Sequence, residues 1–301
     1  MYFRIETASR LVRTRACFVL INACLATGTA RGQAGAGQAW DSVGKVLQTP
    51  AVPSAGYVRY NFPRRDIGLT MSGVAVAPAM ALGAWAGFAG TPQHAMVMGD
   101  LVLVAAEVRP VLAELAARDI SVTAVHNHLV GESPTITYVH FHAEGAALTL
   151  ARGLDAVLSK TGAPRPVTAS TAPVTADTAR VFAAMGQSGR ASGNVVQLSY
   201  MLVPTAVTLN GAPLVPALAY GSPVNIQFVS ENRVFATGDL AVPDEKVDPV
   251  TRAMARGGIT ATAVHSHLVG ERPHVNYIHF WADGAVDTVL AALRSAVEAG
   301  R

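Results

Sequence analysis

The strongest constraint on this chain is that it repeats itself. Residues 120–145 read ISVTAVHNHLVGESPTITYVHFHAEG, and residues 259–284 read ITATAVHSHLVGERPHVNYIHFWADG. Sixteen of these 26 positions are identical at a constant offset of 139. The same offset aligns Gly99-Asp100 with Gly238-Asp239 and Pro110 with Pro249. Upstream, Asp41 and Asp177 each open a short helix-like segment, and Gly56 and Gly193 each precede an apolar strand. A period of this length implies two copies of one domain-sized unit of about 125 residues.

Within each copy the order of elements sets the fold class. In the first, a short helix is followed by strands such as 57–62, 67–76 and 95–105, then a helix near 108–118 with Pro110 in its first turn, where proline is tolerated. Strands at 120–129 and 136–142 come next. A final helix covers 145–160, where Ala147, Leu150, Ala151, Leu154, Val157 and Leu158 recur at helical spacing. The chain is expected to be α+β: a tandem duplication of a ferredoxin-like strand–helix–strand–strand–helix unit with extra N-terminal strands. The expected division is a signal peptide at 1–34, a first repeat at 35–161, a Pro/Ala/Thr linker at 162–176 and a second repeat at 177–301. Gly99-Asp100 and Gly238-Asp239 read as turns between strands. Trp85 and Phe88 read as core.

The N-terminus has the layout of an export signal. Arg4, Arg10, Arg13 and Arg15 precede a short apolar stretch from Ala16, and small residues follow it. Residues 1–34 carry five arginines against one glutamate, a net of +4; the whole chain is +3, so the remainder is −1. The basic balance thus belongs to the targeting segment and gives no support to nucleic-acid binding. Both cysteines, Cys17 and Cys24, also lie there, which leaves the mature part without a disulfide or a thiol nucleophile. Ile21-Asn22-Ala23 fits a lipid-attachment pattern poorly, so anchoring at Cys24 is not expected. No apolar run suffices for a membrane span in the mature chain. The expected location is periplasmic or secreted.

Strand parity then gathers the histidines. Side chains alternate across a strand, so His126 and His128 share one face, and Tyr138, His140 and His142 share another. In a hairpin centred on Pro134, His128 stands opposite His140 and His126 opposite His142, with Glu132 at the turn. The second copy matches with His265, His267, Glu271 and His279, while Trp281 replaces His142 and His274 is added. Clustered imidazoles with a carboxylate are a common way to bind a divalent metal, zinc above all. The competing reading is that these histidines are structural, hydrogen-bonded to one another where the halves meet. Tyr138 and Tyr277 read as aromatic anchors on the histidine face.

The string GDLVL…EVRPVL…VTAVHNHLVGESP…YVHFHAEG resembles the LppY/LpqO family, which carries the DUF1259 domain, and the resemblance spans essentially the whole mature chain in two copies. It agrees with an exported location and implies no activity, no cofactor and no catalytic residue. Lys246 stands where Glu107 stands in the first copy.

Two functions follow as expectations. One is a metal-dependent envelope enzyme, by default a hydrolase, with the metal on His126, His128 and His140 or His142 and with Glu132 completing the shell or acting as general base on a bound water. The other is a non-catalytic protein that binds a small molecule or a cell-envelope component between its halves. The export reading predicts that mature protein begins between about residues 27 and 37, where small residues allow cleavage. N-terminal sequencing of an envelope fraction checks it, and recovery of Met1 would refute it.

Overall fold

The computed structural model describes residues 40–168, 170 and 172–301; the segment read as a signal peptide lies outside the described residues. The first half opens with helix α1 (residues 40–47). It continues through β1 (Val52–Ser54), β2 (Tyr57–Pro63), β3 (Thr70–Met71), β4 (Val74–Ala75), α2 (Pro78–Ala81), β5 (Gly83–Gly90) and β6 (Ala95–Val104). Then come α3 (Ala105–Ala117), β7 (Ser121–His126), β8 (Glu132–Ser133), β9 (Ile136–Gly145) and α4 (Ala147–Leu158). The second half runs α5 (Thr178–Met185), β10 (Arg190–Ser192), β11 (Val195–Tyr200), β12 (Thr208–Leu209), β13 (Ala212–Pro213), α6 (Pro216–Ala219), β14 (Ser222–Ser230) and β15 (Arg233–Val242). A 3₁₀ turn (Asp244–Lys246), α7 (Val247–Arg256), β16 (Thr260–His265), β17 (Glu271–Arg272), β18 (Asn276–Ala285) and α8 (Val286–Gly300) complete it.

The duplication holds strand for strand. One sheet has the order β1-β2-β5-β6-β9-β7 and the other β10-β11-β14-β15-β18-β16. A three-stranded sheet, β4-β3-β8 or β13-β12-β17, accompanies each. The fold is the expected α+β tandem repeat. The strand–helix–strand–strand–helix order occurs as β6-α3-β7-β9-α4, but the strand beside β6 is β5, which precedes it in the chain and leads on to β2 and β1. The extra N-terminal strands therefore extend the main sheet.

Periodicity explains the layers. The predicted stripe on α4 is buried, from Ala147 to Leu158. In β9, Val139 and Phe141 alternate with Tyr138, His140 and His142, so one sheet face packs on α3 and α4 and the opposite face carries the imidazoles. The start of α3 is held by the buried Arg64. Its guanidinium donates to Asp66 and to both carboxylate oxygens of Glu107, and Glu107 also accepts the Val104 N–H. That is why Glu107 is needed in the first half only: Arg64 is its partner, whereas Lys246 at the matching position bonds the carbonyl of Arg301.

The imidazole-bearing faces of the two sheets look toward each other, and each half sends an arm into the other. The α2 arm lies on the second sheet. There Asn225 and Gln197 donate to the carbonyls of Met80 and Ala79 at 2.8 and 2.9 Å. The buried Gln227 amide accepts from the Ala77 N–H at 2.8 Å and donates to the Ala75 carbonyl at 2.9 Å. The α6 arm meets the first sheet differently: Leu218 packs over Gly87, where a Cβ would come within 2.4 Å of its Cδ1. Replacing Gln227 with alanine removes both part-buried hydrogen bonds, to the Ala77 N–H and the Ala75 carbonyl, at the interface. The expected loss is about 2 kcal/mol in a urea titration; an unchanged midpoint would show that the α2 arm contributes nothing to stability.

Candidate metal centre

The histidines do not form two separate patches. Six of them, His126, His128 and His140 from the first half and His265, His267 and His279 from the second, meet as one cluster where the halves face each other. Ring centroids of His126 and His265 are 4.1 Å apart, those of His128 and His279 3.7 Å, and those of His140 and His267 3.7 Å. Tyr138 and Tyr277 flank the cluster, at 4.1 Å from His128 and 3.7 Å from His267. Their hydroxyls donate to the carbonyls of Ala81 and Ala219, which ties the base of each arm to the cluster.

The hairpin register differs from the simple expectation. His126 lies opposite Tyr138, His140 opposite Ala124 and His142 opposite Ser121, with a bulge between Val122 and Ala124. The strand ends at His126, and the following segment leaves the main sheet so that Glu132 can pair with Met71 of β3. His128 therefore sits in a loop, not on the strand. The even shift preserves parity, so the faces hold although the pairings change. His142 is left out of the cluster, and its Nε2 faces Glu144 at 3.6 Å. Glu132 and Glu271 are also elsewhere: each carboxylate accepts a backbone N–H four residues on, from Ile136 at 3.1 Å and Val275 at 3.2 Å. They brace the loops that carry His128 and His267. His274 is exposed and pairs with Asp244.

Two aspartates that the sequence reading assigned to turns belong to the site. Gly99-Asp100 and Gly238-Asp239 lie inside β6 and β15, directly across from Phe141-His140 and Phe280-His279. The glycines serve close packing, not a turn. A Cβ at Gly99 would meet the Trp85 carbonyl at 2.3 Å and the Phe141 ring at 2.4 Å, and one at Gly238 would meet the Pro223 carbonyl at 2.1 Å. The unbroken apolar runs on both sides of each Gly-Asp pair were the signal for a continuous strand.

Hydrogen bonding fixes the tautomers. His279 Nδ1 lies 2.7 Å from an Asp239 carboxylate oxygen, so it carries the proton and Nε2 is bare. His265 Nδ1 lies 3.0 Å from the Ser266 carbonyl, so its Nε2 is bare as well. These two lone pairs face each other at 2.8 Å. His267 Nε2 stands 3.0 Å from the same His279 nitrogen. A proton donated by His267 satisfies one contact and leaves the other as lone pair against lone pair. His126 Nε2, His140 Nε2 and Asp100 Oδ1 are buried without a hydrogen-bond partner. One ligand atom from each of His126, His265, His267 and His279 lies within 4.8 Å of the others. Four imidazole nitrogens that converge, with Nδ1 of His279 held by a carboxylate and Nδ1 of His265 and His126 by backbone carbonyls, form a donor set suited to a divalent transition metal.

The electrostatics favour the neutral form of five of the six rings. Burial, reinforced by the other imidazoles, pushes His128, His140 and His267 well below the usual histidine range and His126 to about 2. His265 is lowered by the same causes. Burial, then the neighbouring Asp239 charge, pushes Asp100 up toward its protonated form.

The repeats also identify the chain's kin. The sequence profile of a domain of unknown function, DUF1259, matches residues 41–160 and again residues 179–299. The chain belongs to the DUF1259 family. No curated protein matches it. Among solved structures, the double-ringed trimeric shell protein MSM0271 from the RMM microcompartment aligns over 69% of this chain and 81% of its own. Its identity is 11% and its TM-score 0.18, too low to carry an argument. Both DUF1259 repeats contribute to the cluster, so neither is a spare copy: Trp281 packs on Phe235 at the interface, in the place that His142 occupies outside the cluster in the first repeat.

The lowered imidazole pKa values have a signed consequence. In the unfolded chain histidines take up protons near pH 6.5, whereas the folded cluster resists them. Below about pH 6.5 the unfolded state binds more protons on these five histidines, so stability falls as pH falls; Asp100, pushed toward its protonated form in the fold, opposes the trend and reduces its size. Urea midpoints measured with a chelator should therefore be flat from about pH 7 to 8 and drop from about pH 6.5 to 5. The drop should shrink in H126A and H267A. A midpoint that stays constant down to pH 5 would refute the neutral cluster.

Proposed function

We propose that this DUF1259 protein is an exported metal-binding protein that holds one divalent transition ion, zinc most readily, between its two repeats. The observation that carries the reading is the approach of the His265 and His279 Nε2 atoms, both bare by tautomer, to 2.8 Å in a buried site. A cation between them turns a repulsive contact into two ligand bonds, with His126 and His267 completing four nitrogens. Asp239 would orient His279 from behind. Four protein ligands favour holding the ion over hydrolysis, because a catalytic zinc keeps one position open. The engagement of Glu132 with the Ile136 N–H likewise gives little support to a general-base role. Kinship to the LppY/LpqO branch and a periplasmic or secreted location belong to the same proposal and rest on the sequence.

Elemental analysis of protein purified without a histidine tag, then offered zinc, copper, nickel and manganese in turn, tests the reading. One ion per chain is expected, not two, because the halves share one cluster. H265A and H279A should lose it, while H142A and E132Q should retain it. At an ion concentration about a hundredfold above Kd the wild-type fold should gain about 2.7 kcal/mol. Failure to retain any of the four ions after desalting refutes the proposal.

A further inference from the structure

Beside the imidazole cluster, between the halves, lies a cavity of about 810 Å³, within the usual size range of small-molecule sites. Strand register lays out its floor. Asn61 is opposite Trp85, Trp85 opposite Asp100, and Asp100 opposite His140. These four form a row across one sheet face, and Arg59 stands two residues from Asn61 on β2. With strands about 4.8 Å apart, the Arg59 end is about 14 Å from the histidines.

Arg59 has an unusual position for a cation. Its guanidinium carbon lies 4.1 Å from the Trp85 ring centroid, and its Nε donates to Asn61 Oδ1 at 2.8 Å. Among the described residues no carboxylate lies within ion-pair distance of it, in contrast to Arg64, which has two. The cavity lining contains three arginines, Arg59, Arg65 and Arg190, and two acids, Asp100 and Asp239. Both acids belong to the imidazole end: Asp239 bonds His279, and Asp100 faces His140 at 3.8 Å. Between the ends the lining offers the apolar side chains of Trp85, Met98, Leu218 and Pro223 beside the amides of Gln197 and Asn225. A planar guanidinium that is stacked, part-buried and free of a carboxylate is built to take a bidentate anion.

We propose that this cavity binds a small amphipathic organic anion, with its carboxylate or phosphate on Arg59 and its apolar body along Trp85 toward His128 and His140. The assignment stands on Arg59, Trp85 and the apolar wall, and holds whether or not the cluster carries a metal.

Titration calorimetry on the full chain, treated with a chelator to remove metal, separates the two readings. The probes are 2-naphthoate and its uncharged counterpart 2-naphthamide. The carboxylate should bind about tenfold or more tightly than the amide, the difference expected for charge-assisted hydrogen bonds. R59Q should abolish that preference, weakening the carboxylate by about tenfold more than the amide. W85L should weaken both probes without altering their ratio, and provides a second test if R59Q does not fold, as judged by thermal melting. Equal affinity of the wild-type protein for the two probes, no carboxylate binding at about 1 mM, or an R59Q variant that keeps the preference would each overturn the proposal.

Discussion

Everything in this fold that matters to its site hangs on one contact: the meeting of His265 and His279 with bare nitrogens 2.8 Å apart, backed by Asp239. Imidazoles do not crowd together in a buried space without a reason, because each protonation is opposed by desolvation and by the neighbouring rings. Here the backbone compels them. β7 and β9 in one sheet, and β16 and β18 in the other, bring the histidines together at one side of each sheet, and the arms α2 and α6 clamp the two sheets with those histidines facing inward. The interface thus has the imidazoles at its centre, apolar packing of Trp281, Phe235 and Val195 on one side and of Leu218 over Gly87 on another, and amide hydrogen bonds under the α2 arm. A buried polar cluster is costly unless its lone pairs find a partner. That is the physical case for a metal.

Much of this was legible in the sequence, and the rest was not for definable reasons. The offset of 139 residues fixed the duplication, the helical stripe on 147–158 fixed α4, and period-two alternation put His140 opposite in facing to Phe141. Parity is a local property and survives an error in register. Register itself depends on what the loop does. The detour of Glu132 into the small sheet with β3 is a contact across more than 60 residues that no local pattern announces. The same limit left the shared cluster as one alternative, imidazoles meeting where the halves do, because a repeat reveals that two histidine sets are alike, not that they face each other.

The two aspartates are obscured for a different reason. Gly-Asp is turn chemistry in isolation, but here Gly99 and Gly238 are small because a carbonyl of the neighbouring strand passes within what would be Cβ contact. Trp85 packs partly buried against the core, as its residue type suggests, and is also a cavity wall with Arg59 stacked on it. Both cases show a residue type that the tertiary structure puts to a use beyond its commonest one.

The unequal arms carry a consequence about symmetry. In an assembly of two identical chains related by a two-fold axis, every wall residue must occur on both sides of the axis. Here Gly87 receives one arm by having no side chain, while its counterpart Asn225 receives the other by hydrogen bonding, and Arg59 has Gln197 as its counterpart. A cavity with a cationic wall facing an amide wall cannot be made by two copies of one gene product. Joining the halves in one chain frees each wall to specialise, while the cluster at the axis keeps three histidines from each side.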